Sequence, residues 1–250
     1  MSEQTVNFID QLKEYNRTNF SKDIFVPSLE RDVKFSTLTA KHQRDIIHST
    51  LDNPLLNLVF HDRLYKILKE LCHEESIIDS LTVFDKDAIA IQLRYHFIST
   101  KYEEKEMDGG IEAIKNTRLS FKPYIEEVDG INMQLEIPSI QKEKKILSQY
   151  SKGKNISINT QKEEDIRELV ADAYILEVIK FVSKVQIVGT DIVVDFSLHN
   201  VEENIKVVET LGRKVCDSIL EFINKQREEH KDMYFLDDNT EIEINSSLFG

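Results

Sequence analysis

Between Asn200 and Lys231, Val201, Ile205, Val208, Leu211, Val215, Ile219 and Phe222 recur at steps of three or four residues. That spacing places all seven on one stripe of an α-helix, with Glu203, Lys206, Glu209, Lys214, Asp217 and Glu221 around the other faces. A second helix is predicted from Glu163 to Lys184. Its apolar residues, Ile166, Leu169, Val170, Ala173, Leu176, Ile179 or Ile175, Phe181 and Val182, cover more than half the circumference, which makes it the expected central element. At ~1.5 Å per residue the two are roughly 33 and 48 Å long if unbroken. Gly212 weakens the later one by about 1 kcal/mol relative to Ala and marks a candidate bend.

Earlier in the chain the pattern is more varied. Residues 5–20 form an amphipathic helix carrying Phe8, Ile9, Leu12 and Tyr15. Asp23 to Ser36 is a hairpin: Ile24–Val26 and Val33–Phe35 are β-prone, and Glu30-Arg31-Asp32 is the polar turn. Pro27 restricts the first strand to an edge or a bulge. Thr37 or Thr39 caps a helix through Leu51, with Leu38, Ile46 and Ile47 inward. Asp52-Asn53-Pro54 opens a helix to Cys72 that buries Leu56, Val59 or Phe60, Leu64, Ile67, Leu68 and Leu71. Asp85 opens another to about Ser99, with Asp87 favouring the helix dipole, although Ala88–Ile91 also fits a strand.

From Lys101 to Gly110 the chain holds six charged residues and ends in Gly109-Gly110, which reads as an exposed linker or the tip of a long loop. Beyond it the period shortens to two around Asp129-Gly130, a strong hairpin signal. Ser139 caps a segment through Tyr150, and residues 151–160 are a loop. Asp191–Phe196 is a strand or a crossing loop, and Glu241–Ile244 a terminal strand. The expected fold is α+β and predominantly helical, with long antiparallel C-terminal helices and short β-hairpins. Three regions are expected: 1–100, hairpin plus helices; 101–160, a β-hairpin insertion with flexible flanks; and 161–250, a long-helix pair with a C-terminal strand and tail.

Composition narrows the partners. Seven Gly and four Pro in 250 residues disfavour a turn-rich sandwich or barrel. A net charge of −13 disfavours nucleic acid, because the densest basic spot, Lys142, Lys144 and Lys145, is interrupted by Glu143. No apolar run reaches the length of a membrane span. Met1-Ser2-Glu3-Gln4 lacks a basic flank and an apolar run of the secretion-signal type, so a cytoplasmic protein is expected. Cys72 and Cys216 lie in apolar helical patterns and read as buried thiols, with a disulfide between them left open.

Candidate chemistry is sparse. His42 and His48 are six apart and do not share a helix face, and adjacent Cys72 and His73 point about 100° apart. Asp85 and Asp87 are better explained by a helix start than by a metal. Asp237–Glu241 lacks the features of a calcium loop, and Ser151–Lys154 those of a phosphate loop. No catalytic, cofactor-binding or metal residues are assigned; no cofactor and no enzyme activity is expected.

The segments Phe25–Leu29, Val33–Phe35 and Leu38–Gln43 resemble the opening of baseplate hub proteins of T-even-type contractile-tailed phages. Leu81–Asp85, leading into Gln92-Leu93-Arg94, and the close Ile242–Ile244 through Ser-Ser-Leu-Phe are similar as well. The resemblance covers residues 23–99 firmly, the last fifty loosely and 100–160 hardly at all. It implies a viral late protein, either a structural subunit of the virion's tail baseplate hub or a hub assembly factor working in the host cytoplasm. Its partners would be other hub or tape-measure-type proteins, without nucleic acid or membrane and with a homo-oligomer allowed. The candidate interface residues are Phe8 and Leu12 of the first helix, Phe25 and Val26 of the edge strand, and Leu248 and Phe249 of the tail; Phe249 packed on its own domain is the competing reading. An acidic helical regulatory or inhibitor module binding a host or phage protein is the alternative function.

Overall fold

The computed structural model describes residues 3–48, 56–98, 104–119, 122–153, 163–235, 241–244 and 248. Contacts group the chain into two units. Met1–Leu51, Val59–Arg118 and Asp232–Gly250 make the first, and Asp52–Leu58 and Leu119–Lys231 the second. The chain therefore leaves the first unit and returns to it, where the sequence pattern suggests three consecutive regions.

In the first unit, α1 (Glu3–Asn19) leads into β1 (Ser21–Val26) and β2 (Arg31–Ser36), an antiparallel pair in register from Ser21↔Ser36 to Val26↔Arg31. Ile24, Val26, Val33 and Phe35 alternate inward and are fully buried. Arg31 and Asp32 belong to the strand; the connection is a 3-10 turn over Pro27–Leu29, closed by Glu30 at φ 50°. Next come α2 (Ala40–His48), α3 (Leu56–Leu71), a 3-10 segment Glu75–Ser80, α4 (Val83–Phe97) and α5 (Glu104–Asn116). The Asp52-Asn53-Pro54 start signal lies outside the described residues.

Three expectations are corrected here. Between Phe84 and Arg94, every residue of α4 except Asp87 is buried. Among the described residues this helix is more enclosed than residues 171–181 of the helix after Glu163, where only Leu176, Val178, Ile179 and Phe181 are buried. The small side chains of Ala88 and Ala90 lie on opposite sides of the helix, Ile89, Ile91 and Leu93 are buried beside them, and α4 packs against β1, the 3-10 turn and α5. The expected linker over 101–110 is helical from Glu104. Gly110 is buried there, and a Cβ at this position would come within 3.2 Å of the Phe235 carbonyl oxygen. That segment closes the unit: Met233, Ile242 and Leu248 are buried, and the Tyr234 hydroxyl donates to Asp87 Oδ2 at 2.8 Å. The expected strand over 241–244 is reduced to a single bridge, Phe235↔Glu241.

The second unit holds a four-stranded antiparallel sheet in the order β3 (Tyr124–Val128), β4 (Ile131–Leu135), β5 (Val182–Ile187), β6 (Val193–Asp195). Asp129 and Gly130, at φ 48° and 77°, form the two-residue turn that the Asp-Gly pair predicts. The helices are α6 (Ile140–Gly153), α7 (Glu163–Phe181), α8 (Val201–Thr210) and α9 (Arg213–Glu229). Met133, Leu135, Leu176, Val178, Ile179, Val182, Val185, Val208, Val215, Ile219 and Ile223 are among the members of one core cluster.

The predicted 48 Å helix is thus two, of 10 and 17 residues, or about 15 and 26 Å. Leu211 and Gly212 are both extended, at ψ 142° and 150°, and Asn200 with Glu203 forms a capping box at the start of α8. The break falls on Leu211, a member of the apolar stripe, yet Val201 and Val208 before it and Val215 and Ile219 after it are buried in the same core. Similarly, α7 stops at Phe181, and Val182–Lys184 belongs to β5. Ala173 and Tyr174 on α7 are exposed.

Candidate functional site

The buried polar groups are the first place to look for chemistry. Asp85, fully buried, is the third residue of α4 and not its cap. Its Oδ2 accepts from the Thr82 N–H at 2.8 Å and the Thr82 hydroxyl at 2.7 Å, while its N–H donates to Thr82 Oγ1. Its Oδ1 accepts from the Ser28 N–H at 2.8 Å, tying the 3-10 turn to the helix start. Two turns further along the same face, Gln92 Oε1 accepts from the Phe25 N–H at 3.0 Å and its Nε2 donates to the Phe25 carbonyl at 2.8 Å. The Gln92 amide therefore satisfies the outer edge of β1 much as a third strand would.

His42 clamps the start of α2 to α3. Its Nδ1 accepts from the Thr39 N–H at 3.1 Å, so the ring hydrogen sits on Nε2, which donates to Glu70 Oε2 at 3.2 Å. Thr39 Oγ1 also lies 3.1 Å from Nδ1. This is the hydroxyl, imidazole, carboxylate order of a nucleophilic triad. The lone pair a general base needs is already engaged by the backbone amide, so the arrangement serves as a helix-start clamp. Burial raises the Glu70 carboxyl, but the His42 hydrogen bond and the Lys41 ammonium bring it below its ordinary value. A second imidazole, His73, has Nε2 3.0 Å from Ser36 Oγ. Tyr65 donates to Asp79 at 2.5 Å, and Lys69 bridges both.

In the second unit, Lys180 contacts Glu143 at 3.3 Å and Glu177 at 2.5 Å, and Arg227 contacts Glu177 at 2.8 Å. Burial alone would lower the Lys180 ammonium; Glu143 and Glu177 outweigh it and hold the group above its ordinary value. Lys142 shows the opposite balance: burial outweighs Glu136 and lowers it. Its Nζ donates to Glu136 and to the Val182 carbonyl, at the junction of α7 and β5. Cys72 and Cys216 are free, and burial pushes both thiols up, away from nucleophilic use. Among the described residues no three His, Cys, Asp or Glu side chains converge as a metal site would require. Each polar cluster described here is explained by holding two pieces of its own unit together.

These shifts carry a pH prediction. Burial lowers His73 and His96, helped by Arg17 and Lys34 for the first and by Lys22 and Lys115 for the second. Unfolded imidazoles therefore bind protons before the folded ones do. The first unit should keep full stability above about pH 6.5 and lose it as pH falls through the lowered folded values. A further loss follows in the carboxylate range, where Glu70 and Glu74 are held below their ordinary values. Melting temperatures measured from pH 8 down to pH 4 check the direction; a flat profile between pH 6.5 and pH 5 would contradict it.

Exposed apolar residues present a different picture. On α1, Val6, Phe8, Ile9, Leu12 and Tyr15 are all exposed, with Phe8 at 63% and Leu12 at 46%. Among the other residues singled out from the sequence, Phe25 is half-buried. Val26 is fully buried and Leu248 is 3% exposed, so neither offers a free surface; the inward alternation of β1 accounts for Val26. Phe249 lies outside the described residues. In the second unit the end of the β5–β6 hairpin exposes Ile187, Val188, Ile192 and Val193, and the outer strand exposes Ile125 at 70%. Alternation in β3 and the turn at Gly189 were available in the sequence as signals for these, whereas nothing in it announces Gln92 except one amide in an apolar run. No helix among the described residues is long and apolar enough to cross a membrane. Comparison with protein-family models, with curated proteins and with solved structures finds no match to this chain.

Proposed function

We propose that this protein acts by binding other proteins, as a structural subunit or assembly factor of a contractile phage tail's baseplate hub. The tail setting rests on the resemblance of residues 23–99. The mode of action rests on one observation, the open apolar side of α1. Phe8, Leu12 and Tyr15 lie one helical turn apart and are each at least 46% exposed. A helix that gives up so much apolar area to water on its own chain is suited to lie in a groove on another. Covalent chemistry has no part in this reading.

Co-expression with the hub and tape-measure proteins of the same phage tests it. The wild-type chain should co-purify with at least one of them, and the Phe8→Glu, Leu12→Glu double variant should lose at least ten-fold of that signal with an unchanged melting temperature. A wild-type chain that retains none of these proteins would refute the reading. Mass spectrometry of mature particles then separates subunit from assembly factor, since only a subunit stays.

A further inference from the structure

The outer edge of β3 is an unpaired strand edge among the described residues. The Gly130 carbonyl accepts from the Val188 N–H, and the Glu136 N–H donates to the Phe181 carbonyl. Even-numbered residues of the β4 ladder thus bond towards β5 and odd-numbered ones towards β3. With the register Tyr124↔Leu135, Glu126↔Met133 and Val128↔Ile131, the backbones of Ile125 and Glu127 point away from the sheet. Their side chains share the face opposite Tyr124, which stacks on Phe222 at 5.4 Å, and Glu126, which accepts from Ser218 at 2.6 Å. Lys122, Pro123, Tyr124 and Ile125 are all exposed.

We propose that two copies of this chain join edge to edge through β3, antiparallel, with Ile125 meeting its own counterpart on a two-fold axis. Opposite charges along the strand favour a second copy as the occupant. Centred on Ile125, the pairing sets Tyr124 opposite Glu126 and brings Lys122 diagonal to Glu126 of the second copy, twice by symmetry. Ile125 and Glu127 N–H groups find the Ile125 and Pro123 carbonyls, so the missing proline N–H removes only the reciprocal bond. Shifting the centre to Glu126 would set two glutamates directly opposite. In the other outer strand, self-pairing about Val193 would set Asp191 opposite Asp195. The apolar contact at the axis is Ile125 against Ile125, the most exposed apolar side chain of the sheet's four strands. Joined this way the two sheets become one of eight strands. The proposal stands on the second unit alone and is independent of the function assigned to α1.

Sedimentation of the purified chain across tens to hundreds of micromolar should show reversible dimers. They should strengthen with added salt, because each copy carries a net charge of −13. Ile125→Lys should weaken association at least ten-fold without changing the melting temperature. The register has its own test. Hydrogen-bonded antiparallel partners have Cα atoms about 5.5 Å apart, within disulfide reach. Under mild oxidation Ile125→Cys should give a covalent dimer, while Glu127→Cys, roughly 13 Å from its counterpart, should match the wild-type chain. Monomers at every concentration overturn the proposal, even if a strand of another protein binds this edge. So does a dimer indifferent to Ile125→Lys, or equal crosslinking of both cysteine variants.

Discussion

Replacing Asp85 with alanine should destabilise the first unit by roughly 3 kcal/mol. The carboxylate is fully buried and accepts from the Ser28 N–H, the Thr82 N–H and the Thr82 hydroxyl. Removing it leaves two backbone donors without an acceptor, at about 1–3 kcal/mol each, offset in part by no longer desolvating a carboxylate. It also dismantles the capping box of α4. Asp85→Asn keeps one acceptor oxygen and turns an NH₂ towards a donor, so it should fall between alanine and wild type. Urea unfolding followed by circular dichroism measures both. Exposed Asp23→Ala provides the baseline, expected within about 0.5 kcal/mol of wild type. If Asp85→Ala also falls within that band, the link between the 3-10 turn and α4 is not what holds β1 in place.

Ile219→Ala should cost the second unit about 2–5 kcal/mol. Ile219 is fully buried in the core shared by the sheet and the helices around it, so truncation loses both transfer energy and packing. Leu198→Ala, at a side chain 81% exposed, should stay within about 0.5 kcal/mol. The stripe on α8 and α9 is graded: Val201, Val208, Val215 and Ile219 are buried, whereas Leu211 and Phe222 are half-buried. The full cost is therefore expected at Ile219. Equal unfolding midpoints for Ile219→Ala and Leu198→Ala would contradict this core assignment.

How much of this was legible depends on whether the deciding interaction is local. The hairpin over residues 21–36 and the turn at Asp129-Gly130 follow from alternation and turn chemistry within a few residues, and both are present. The stripe from Val201 to Phe222 has the right period, but period alone does not register a two-residue extended break. A charge-dense run ending in two glycines reads as a linker. In the structure Gly110 lies against the Phe235 carbonyl, more than a hundred residues later, a contact no local pattern shows. Asp85 was visible as a helix-start residue, yet its bond to Ser28 is a tertiary fact. Burial of Val26 follows from alternation with Ile24, which outweighs its position on an edge strand. Burial of Leu248 has no local signature.

The return of the chain to its first unit bears on the order of events during synthesis. Residues 119–231 leave the ribosome before Met233, Ile242 and Leu248, all of which are buried in the earlier unit. At 5–20 residues per second, the N-terminal half waits roughly 6–23 s for its last pieces. Over that interval Gly110 lacks the carbonyl that covers it and Asp87 lacks the Tyr234 hydroxyl. The later-made half can mature first, and a nascent chain halted near Lys231 would carry an incomplete N-terminal core beside a finished neighbour.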